Sequence, residues 1–210
     1  MFDYSNWLEE QRKYREEVKQ VIEQIDPSLE FLEIFYPSST LVCKVKRNNS
    51  GFIFKVANYQ KSVGELTGED DTERHFQWKV NQLRKEKSAL IQAKEISGIT
   101  HLIHPYEDLN EKYVCPILKE FFYGRSIFEL EDKIRDTKLQ QKLEKTIREL
   151  HGIGLANLDI RPSNVFLSDD EKEVCLIEIG APELKKEVGN SQFEKFKSED
   201  FERLEINIFE

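Results

Sequence analysis

The stretch Leu158-Asp159-Ile160-Arg161-Pro162-Ser163-Asn164 stands between a helical pattern and a short apolar strand, and it constrains the fold more than any other part of the chain. Before it, the run 138–150 places Leu139, Leu143, Ile147 and Leu150 on one helical face, and Gly152 and Gly154 break the pattern. After it, runs 165–167 and 174–177 read as short strands flanking a Ser168-Asp169-Asp170 turn. A chain folded this way displays Asp159 and Asn164, with a cation between them, at a helix–strand junction. Those residue types suit phosphoryl transfer. The Asp accepts a proton from a hydroxyl nucleophile, the Asn amide oxygen ligates Mg²⁺, and Arg161 stabilises charge on the travelling group.

The rest of the chain falls into a sheet-rich half and a helix-rich half. A first helix is expected over 6–25, with Asn6 and Glu9 as a capping box and Trp7, Tyr14, Val18, Val21, Ile22 and Ile25 along one face. Asp26-Pro27 ends it. Strand-like runs follow at 31–36, 41–46 and 52–57, and Arg47-Asn48-Asn49-Ser50-Gly51 joins the last two as a hairpin. A polar loop over 58–72 leads to a long helix, 73–97, that stops at Gly98. Two more strands, near 101–106 and 113–118, complete an antiparallel sheet with one helix on it. Gly124 marks the change of character, followed by helices at 126–134 and 138–150, a mobile-looking segment with Pro182 and Gly189, and a final helix over 199–209. Two halves of this kind suggest a ligand-binding cleft between lobes.

Composition removes several classes of function. At 39% hydrophobic and 34% charged, the 210 residues describe a globular chain long enough to bury a core, rather than a disordered one. No apolar run reaches membrane-spanning length, and the first residues are too polar for a secretory signal. A net charge of −9 opposes direct binding to nucleic acid and avid binding to anionic membranes. Cys43, Cys115 and Cys175 lie in apolar runs without metal-ligand spacing, as reduced, buried thiols of a cytoplasmic protein would.

Lys55 and Glu86 form a second constellation. Lys55 sits mid-strand, with Ile53 and Ala57 on its own face. A lone strand lysine is ordinarily solvated. Glu86, however, falls three residues after Leu83 and four before Leu90, on the apolar face of the long helix. A carboxylate in a core-facing stripe needs a cation, and Lys55 is the natural partner. Glu73 and Glu95 are alternatives nearer the helix ends.

The segment 149–167, from Glu149-Leu150-His151-Gly152 through Leu158-Asp159-Ile160-Arg161-Pro162-Ser163-Asn164 to Val165-Phe166-Leu167, is similar to the kinase pattern LHxxGIxHxDLKPxNIL. Residues 31–209 thus resemble a small kinase of the protein-kinase-like clan. By size and layout the chain is closest to compact atypical kinases: the RIO type, the kinase subunit of the tRNA-threonylcarbamoylation complex, and bacterial lipopolysaccharide-core sugar kinases. Phe54-Lys55-Val56 resembles the ATP-lysine strand, and Leu118-Lys119-Glu120-Phe121 resembles the hinge that contacts adenine. Glu178-Ile179-Gly180, fourteen residues after Asn164, stands where kinases carry Asp-Phe-Gly, so Glu178 is the implied second metal ligand or a solvated loop residue. Where a Gly-rich phosphate loop belongs, the chain has Tyr36-Pro37-Ser38-Ser39-Thr40. The hydroxyls and N–H groups of Ser38, Ser39 and Thr40 stand in for it, or the segment is a plain turn.

The resemblance implies an α+β, two-lobed protein-kinase-like fold, with an antiparallel-sheet N-lobe carrying one long helix and a minimal, mainly helical C-lobe. The expected domains are an N-terminal helical extension at 1–30, the N-lobe at 31–122 and a truncated C-lobe at 123–210. It also implies an ATP-dependent phosphotransferase using Mg²⁺ or Mn²⁺ that moves the γ-phosphate to a hydroxyl acceptor, foremost protein Ser/Thr and including autophosphorylation. In that scheme Asp159 and Arg161 are catalytic, Asn164 and Glu178 hold metal, and Lys55, Glu86, Ser38, Ser39, Thr40 and Glu120 serve the nucleotide. Asp200, in the last helix, braces the catalytic loop. A lipopolysaccharide-core sugar is the alternative acceptor. Asn157 and Leu158 replace the His and Arg of the kinase triplet, so control by activation-loop phosphorylation is not implied. Those changes, Glu178 and the glycine-free loop also fit an inactive, pseudokinase-type binding module. The N-terminal helix is a candidate surface for a protein partner.

Overall fold

A computed structural model describes residues 4–37, 40–59, 69–130 and 133–209, with side chains from 12–35, 40–59, 72–130 and 133–209. Ser38 and Ser39 lie outside the described residues, and the Asn6–Glu9 capping box and Trp7 outside the described side chains. The chain divides into two compact units, residues 1–80 with 104–119 and residues 81–103 with 120–210.

In the first unit, strands β1 (Glu30–Pro37), β2 (Thr40–Arg47) and β3 (Ser50–Asn58) form an antiparallel meander. With β4 (Leu102–Pro105) and β5 (Tyr113–Glu120) they belong to a five-stranded sheet of order β1-β2-β3-β5-β4. The β2–β3 turn is Asn48-Asn49, with φ of 50° and 67°, between the paired residues Arg47 and Ser50. Positive φ at both central residues matches the twist of a tight hairpin, and asparagine tolerates that conformation better than most side chains. Strand alternation turns Leu41, Cys43 and Val45 inward, where they share one core with Phe54 and Val56 of β3. Helix α1 (Tyr4–Ile25) covers this core with Val18, Val21 and Ile22. Its apolar stripe therefore docks on the chain's own sheet.

A polar latch ties the end of α1 to the sheet. The largely buried Asp26 accepts hydrogen bonds from Ser28 N at 3.0 Å, Ser28 Oγ at 2.6 Å and Tyr106 Oη at 2.6 Å, and it pairs with the Arg47 guanidinium. Arg47 also donates to Tyr106 Oη at 3.2 Å. Midway along α1, Tyr113 Oη donates to the Glu17 carboxylate. Cys43, Cys115 and Cys175 are free and buried, and burial pushes the Cys43 thiol up to about 12.

In the second unit, α4 (Thr137–Gly152) follows the short helix α3 (Ile127–Leu130). Asp136 caps α4, accepting from Lys138 N at 2.7 Å. Its stripe of Leu139, Leu143, Ile147 and Leu150 is buried, as its spacing predicts. Strands β6 (Gly124–Ser126), β8 (Val165–Ser168) and β9 (Val174–Leu176) form a three-stranded sheet, and β7 (Leu155–Ala156) pairs with β10 (Glu183–Leu184).

Three boundaries differ from the sequence pattern. Helix α2 spans Glu69–Gln92 rather than 73–97, because the chain tightens into buried turns at Ala93 and Ile96 before Gly98 at φ 81°. Helix α3 is short, and Lys133 and Ile134 already lie beyond it. The segment read as mobile is helical from Lys185 onward. Helix α5 (Lys185–Leu204), kinked at Gly189 (φ 77°), leads into a π-helical turn, Glu205–Phe209. Only Phe193, Asp200 and Leu204 of its twenty residues are buried, too sparse a stripe to register as periodic. Among the described residues, no helix is long and apolar enough to cross a membrane.

The latch predicts an acid-sensitive contribution to stability. Burial alone would raise the Asp26 pKa, but the bonds from Ser28 and Tyr106 and the charge of Arg47 together hold it below its usual 3.8. A depressed carboxylate stabilises the fold above its unfolded pKa and loses that contribution as pH falls through the folded one. Asp26→Asn should cost about 1–3 kcal/mol in urea unfolding at pH 7. It should also flatten the loss of stability expected of the parent protein below pH 3.8.

Candidate functional site

The segment 157–164 is held from beneath by a fully buried carboxylate. Asp200 of α5 has no exposure; its Oδ1 accepts from Leu158 N at 2.8 Å and its Oδ2 lies 2.9 Å from His151 Nε2. Arg203, one turn further along α5, donates to Asp200 Oδ1 at 3.3 Å, to Leu158 O at 3.0 Å and to Asn157 Oδ1 at 3.2 Å. Asn157 takes a left-handed φ of 60°, and its side-chain oxygen is the acceptor for that guanidinium. His151 packs edge-on against Phe201 at 5.4 Å. Leu158, the residue before Asp159, is thus gripped on its N–H and on its carbonyl by two side chains of one helix.

On this base the structure brings Asp159, Arg161 and Asn164 together. The Asn164 amide donates to Asp159 Oδ2 at 2.8 Å and to Asp159 O at 3.0 Å, and Arg161 approaches the same Oδ2 at 3.1 Å. Asp159 is about one-third exposed and Arg161 more than half, so the pair faces solvent while Asn164 is buried. Both N–H groups of the Asn164 amide go to Asp159, which leaves Asn164 Oδ1 as the remaining acceptor. An amide oxygen set this way fits a hard divalent cation. Among the described residues, no group of three or more His, Cys, Asp or Glu side chains forms a metal cage. Mg²⁺ commonly needs only one or two protein ligands beside phosphates and water.

Glu178 follows β9 and is half-buried. Its neighbour Ile177 donates N–H to Asn164 O at 2.9 Å, and Ile177 O accepts from Thr100 Oγ1 at 2.8 Å, so the backbone before Glu178 is tied to the loop of Asn164. Asp159 N in turn donates to Ile179 O at 3.3 Å. Gly180 stands at φ 69°, and a Cβ there would fall 2.8 Å from Asp159 Cβ. Glycine is required by both the dihedral and the close approach.

The other expected residues are placed as follows. Glu86 is buried in α2, and Lys85 beside it forms a two-pronged ion pair with Glu183 at 2.9 and 3.0 Å. Lys55 is buried in β3, opposite Val42 of β2. Thr40 opens β2 opposite Ala57. The Glu120 carboxylate accepts the backbone N–H of His101 at 3.0 Å, so it holds this segment together. Nothing in the sequence pattern singles out Arg203 and Thr100, because each acts on a backbone carbonyl far along the chain. Arg203 stands three residues after Asp200, but that spacing does not say which peptide the pair grips.

No protein-family model matches the chain, and no curated protein sequence does. Among solved structures it is similar to the kinase PK-1 of the Cydia pomonella granulovirus, at 13% identity and a TM-score of 0.55. The match covers 80% of this chain, which spans 59% of the viral chain. Identity this low establishes the fold alone. The fold is protein-kinase-like, with an antiparallel N-terminal sheet and a helical C-terminal part.

Gly180→Ala tests the packing under Asp159. It should destabilise the protein by about 1–2 kcal/mol in urea unfolding, from the left-handed backbone alone. A crystal structure of the variant should show Asp159 displaced from Asn164. An unshifted Asp159 with unchanged stability would contradict the tight approach.

Proposed function

We propose that the chain is an ATP-dependent phosphotransferase that moves the γ-phosphate to a hydroxyl acceptor, with a protein Ser or Thr as the acceptor and Mg²⁺ or Mn²⁺ as the cation. The observation that carries this is Asp159 with its carboxylate fixed by the Asn164 amide at 2.8 Å, on a loop clamped by Asp200. A base held this firmly is positioned before the acceptor arrives, which is where catalysis by orientation gains most. Asp159 orients the acceptor hydroxyl and takes its proton. Arg161, shared with Asp159 at 3.1 Å, offers its remaining N–H donors to the phosphoryl oxygens. Asn164 and Glu178 are the proposed metal ligands, and the bound cation supplies neutralising charge to phosphate oxygens. Lys55 and Glu86, both buried ionisable groups, are assigned to the nucleotide phosphates. In layout we group the chain with compact atypical kinases.

Two measurements test this. Asp159→Asn should lower transfer from labelled ATP by at least about 100-fold while ATP binding is retained; equal transfer by the variant would remove Asp159 from the mechanism. In a thermal-shift titration, ATP with Mg²⁺ or Mn²⁺ at about 100 times its Kd should stabilise the fold by about 2.7 kcal/mol. No shift with either cation at millimolar nucleotide would replace the enzyme with a binding module.

A further inference from the structure

Asn157 takes the place of the triplet His, and its φ of 60° is a left-handed conformation that residues other than glycine adopt at a cost. Asn48, Asn49 and Glu171 share that conformation in turns between paired strands, and Cys115 within β5. Among the described non-glycine residues, Asn157 alone carries it in the segment of the proposed base, two residues before Asp159. A strained residue persists only where its surroundings over-determine it, and here Arg203 does so. Its Nη2 and Nη1 lie 3.2 and 3.3 Å from Asn157 Oδ1, and Nη1 also donates to Leu158 O at 3.0 Å. The guanidinium is aimed from its own helix by Asp200 Oδ1 at 3.3 Å and Glu199 Oε2 at 3.6 Å.

The two side chains of α5 act on different peptides. Asp200 holds the one between Asn157 and Leu158 by its N–H, and Arg203 holds the next, between Leu158 and Asp159, by its carbonyl. Arg203 also secures the side chain of the strained residue itself. Asparagine suits that place twice over, since it tolerates a left-handed backbone and its amide oxygen accepts from the planar guanidinium fork. We propose that Arg203 and Asn157 are a positioning pair for the proposed base: the guanidinium keeps Asn157 left-handed and so aims the Asp159 carboxylate at the acceptor hydroxyl. This rests on the phosphotransferase reading above. Neither side chain is assigned a contact with acceptor, nucleotide or cation; both act through Asp159. The replaced triplet His then marks a different support for the loop rather than a lost function.

The test compares kcat and KM for ATP in the full chain and in Arg203→Lys, Asn157→Ala and their combination, with the acceptor that the parent takes from a Ser/Thr peptide library or a set of sugars. Lysine keeps the charge of Arg203 but not its fork. Each single change should lower kcat about tenfold and leave KM for ATP within about twofold, because the base is misaimed while the nucleotide residues stay in place. The combination should be no slower than the slower single variant, since either change releases the same strained residue. Asn157→Gly permits the left-handed backbone without a steric cost, so paired with Arg203→Lys it should be faster than that combination. An unchanged kcat in Arg203→Lys, or single losses that multiply to about 100-fold in the combination, would overturn the pair and leave the phosphotransferase intact. So would losses that vanish once kcat is counted per folded molecule from the thermal melt. If Arg203→Lys does not fold, Asn157→Ala and Asn157→Gly decide alone: Asn157→Gly should be the faster, and equal kcat would overturn the pair. No transfer by the parent to peptides, sugars or itself would overturn the phosphotransferase reading and this proposal with it.

Discussion

The Asp200 carboxylate is the group on which the candidate site depends. A fully buried carboxylate is costly unless its lone pairs are taken, and here they are, by the Leu158 peptide N–H, His151 and Arg203. The same contacts fix the backbone two and one residues before Asp159. Because Arg203 also holds Leu158 O and Asn157 Oδ1, both backbone polar groups of Leu158 are held by α5. A helix of mostly exposed, charged residues thus exerts its structural effect through very few buried ones.

Above that base, the site is economical in its use of atoms. Asp159 Oδ2 receives both Asn164 and Arg161, so the orientation of the carboxylate is set from one side. Asn164 uses its donors on Asp159 and its carbonyl on Ile177 N, linking the loop to the strand end that leads to Glu178. Thr100 secures the other side of Ile177. Gly180 lets the following turn press against Asp159 where a side chain would not fit. Loop, strand end and turn are coupled by backbone bonds, so a displacement of one shifts the others.

The first unit solves a different problem. Its sheet has an apolar face that α1 covers, and the polar latch of Asp26, Arg47 and Tyr106 fixes the helix end against the strands. Hydrophobic burial supplies the affinity of helix for sheet, and the charged bonds set its register, since apolar contacts alone are not directional.

Much of this was legible in the sequence where a local rule is strong. The alternation of Leu41, Cys43 and Val45, the Asn48-Asn49 hairpin and the α4 stripe each follow from side-chain period or backbone preference, so the structure has them where the pattern puts them. The spacing of Asp159 and Asn164 likewise brought the two together, because five residues of a tight loop leave them few other places to go. The early part of α5 is not legible, since it carries Gly189, a run of lysines and glutamates, and a single buried position, Phe193. What the sequence by itself determined was therefore the elements and the identity of the chemical groups. Only the tertiary structure decided which backbone Asp200 and Arg203 would grip and which side of Asp159 would be left open, because those contacts join residues more than forty positions apart and depend on how α5 packs.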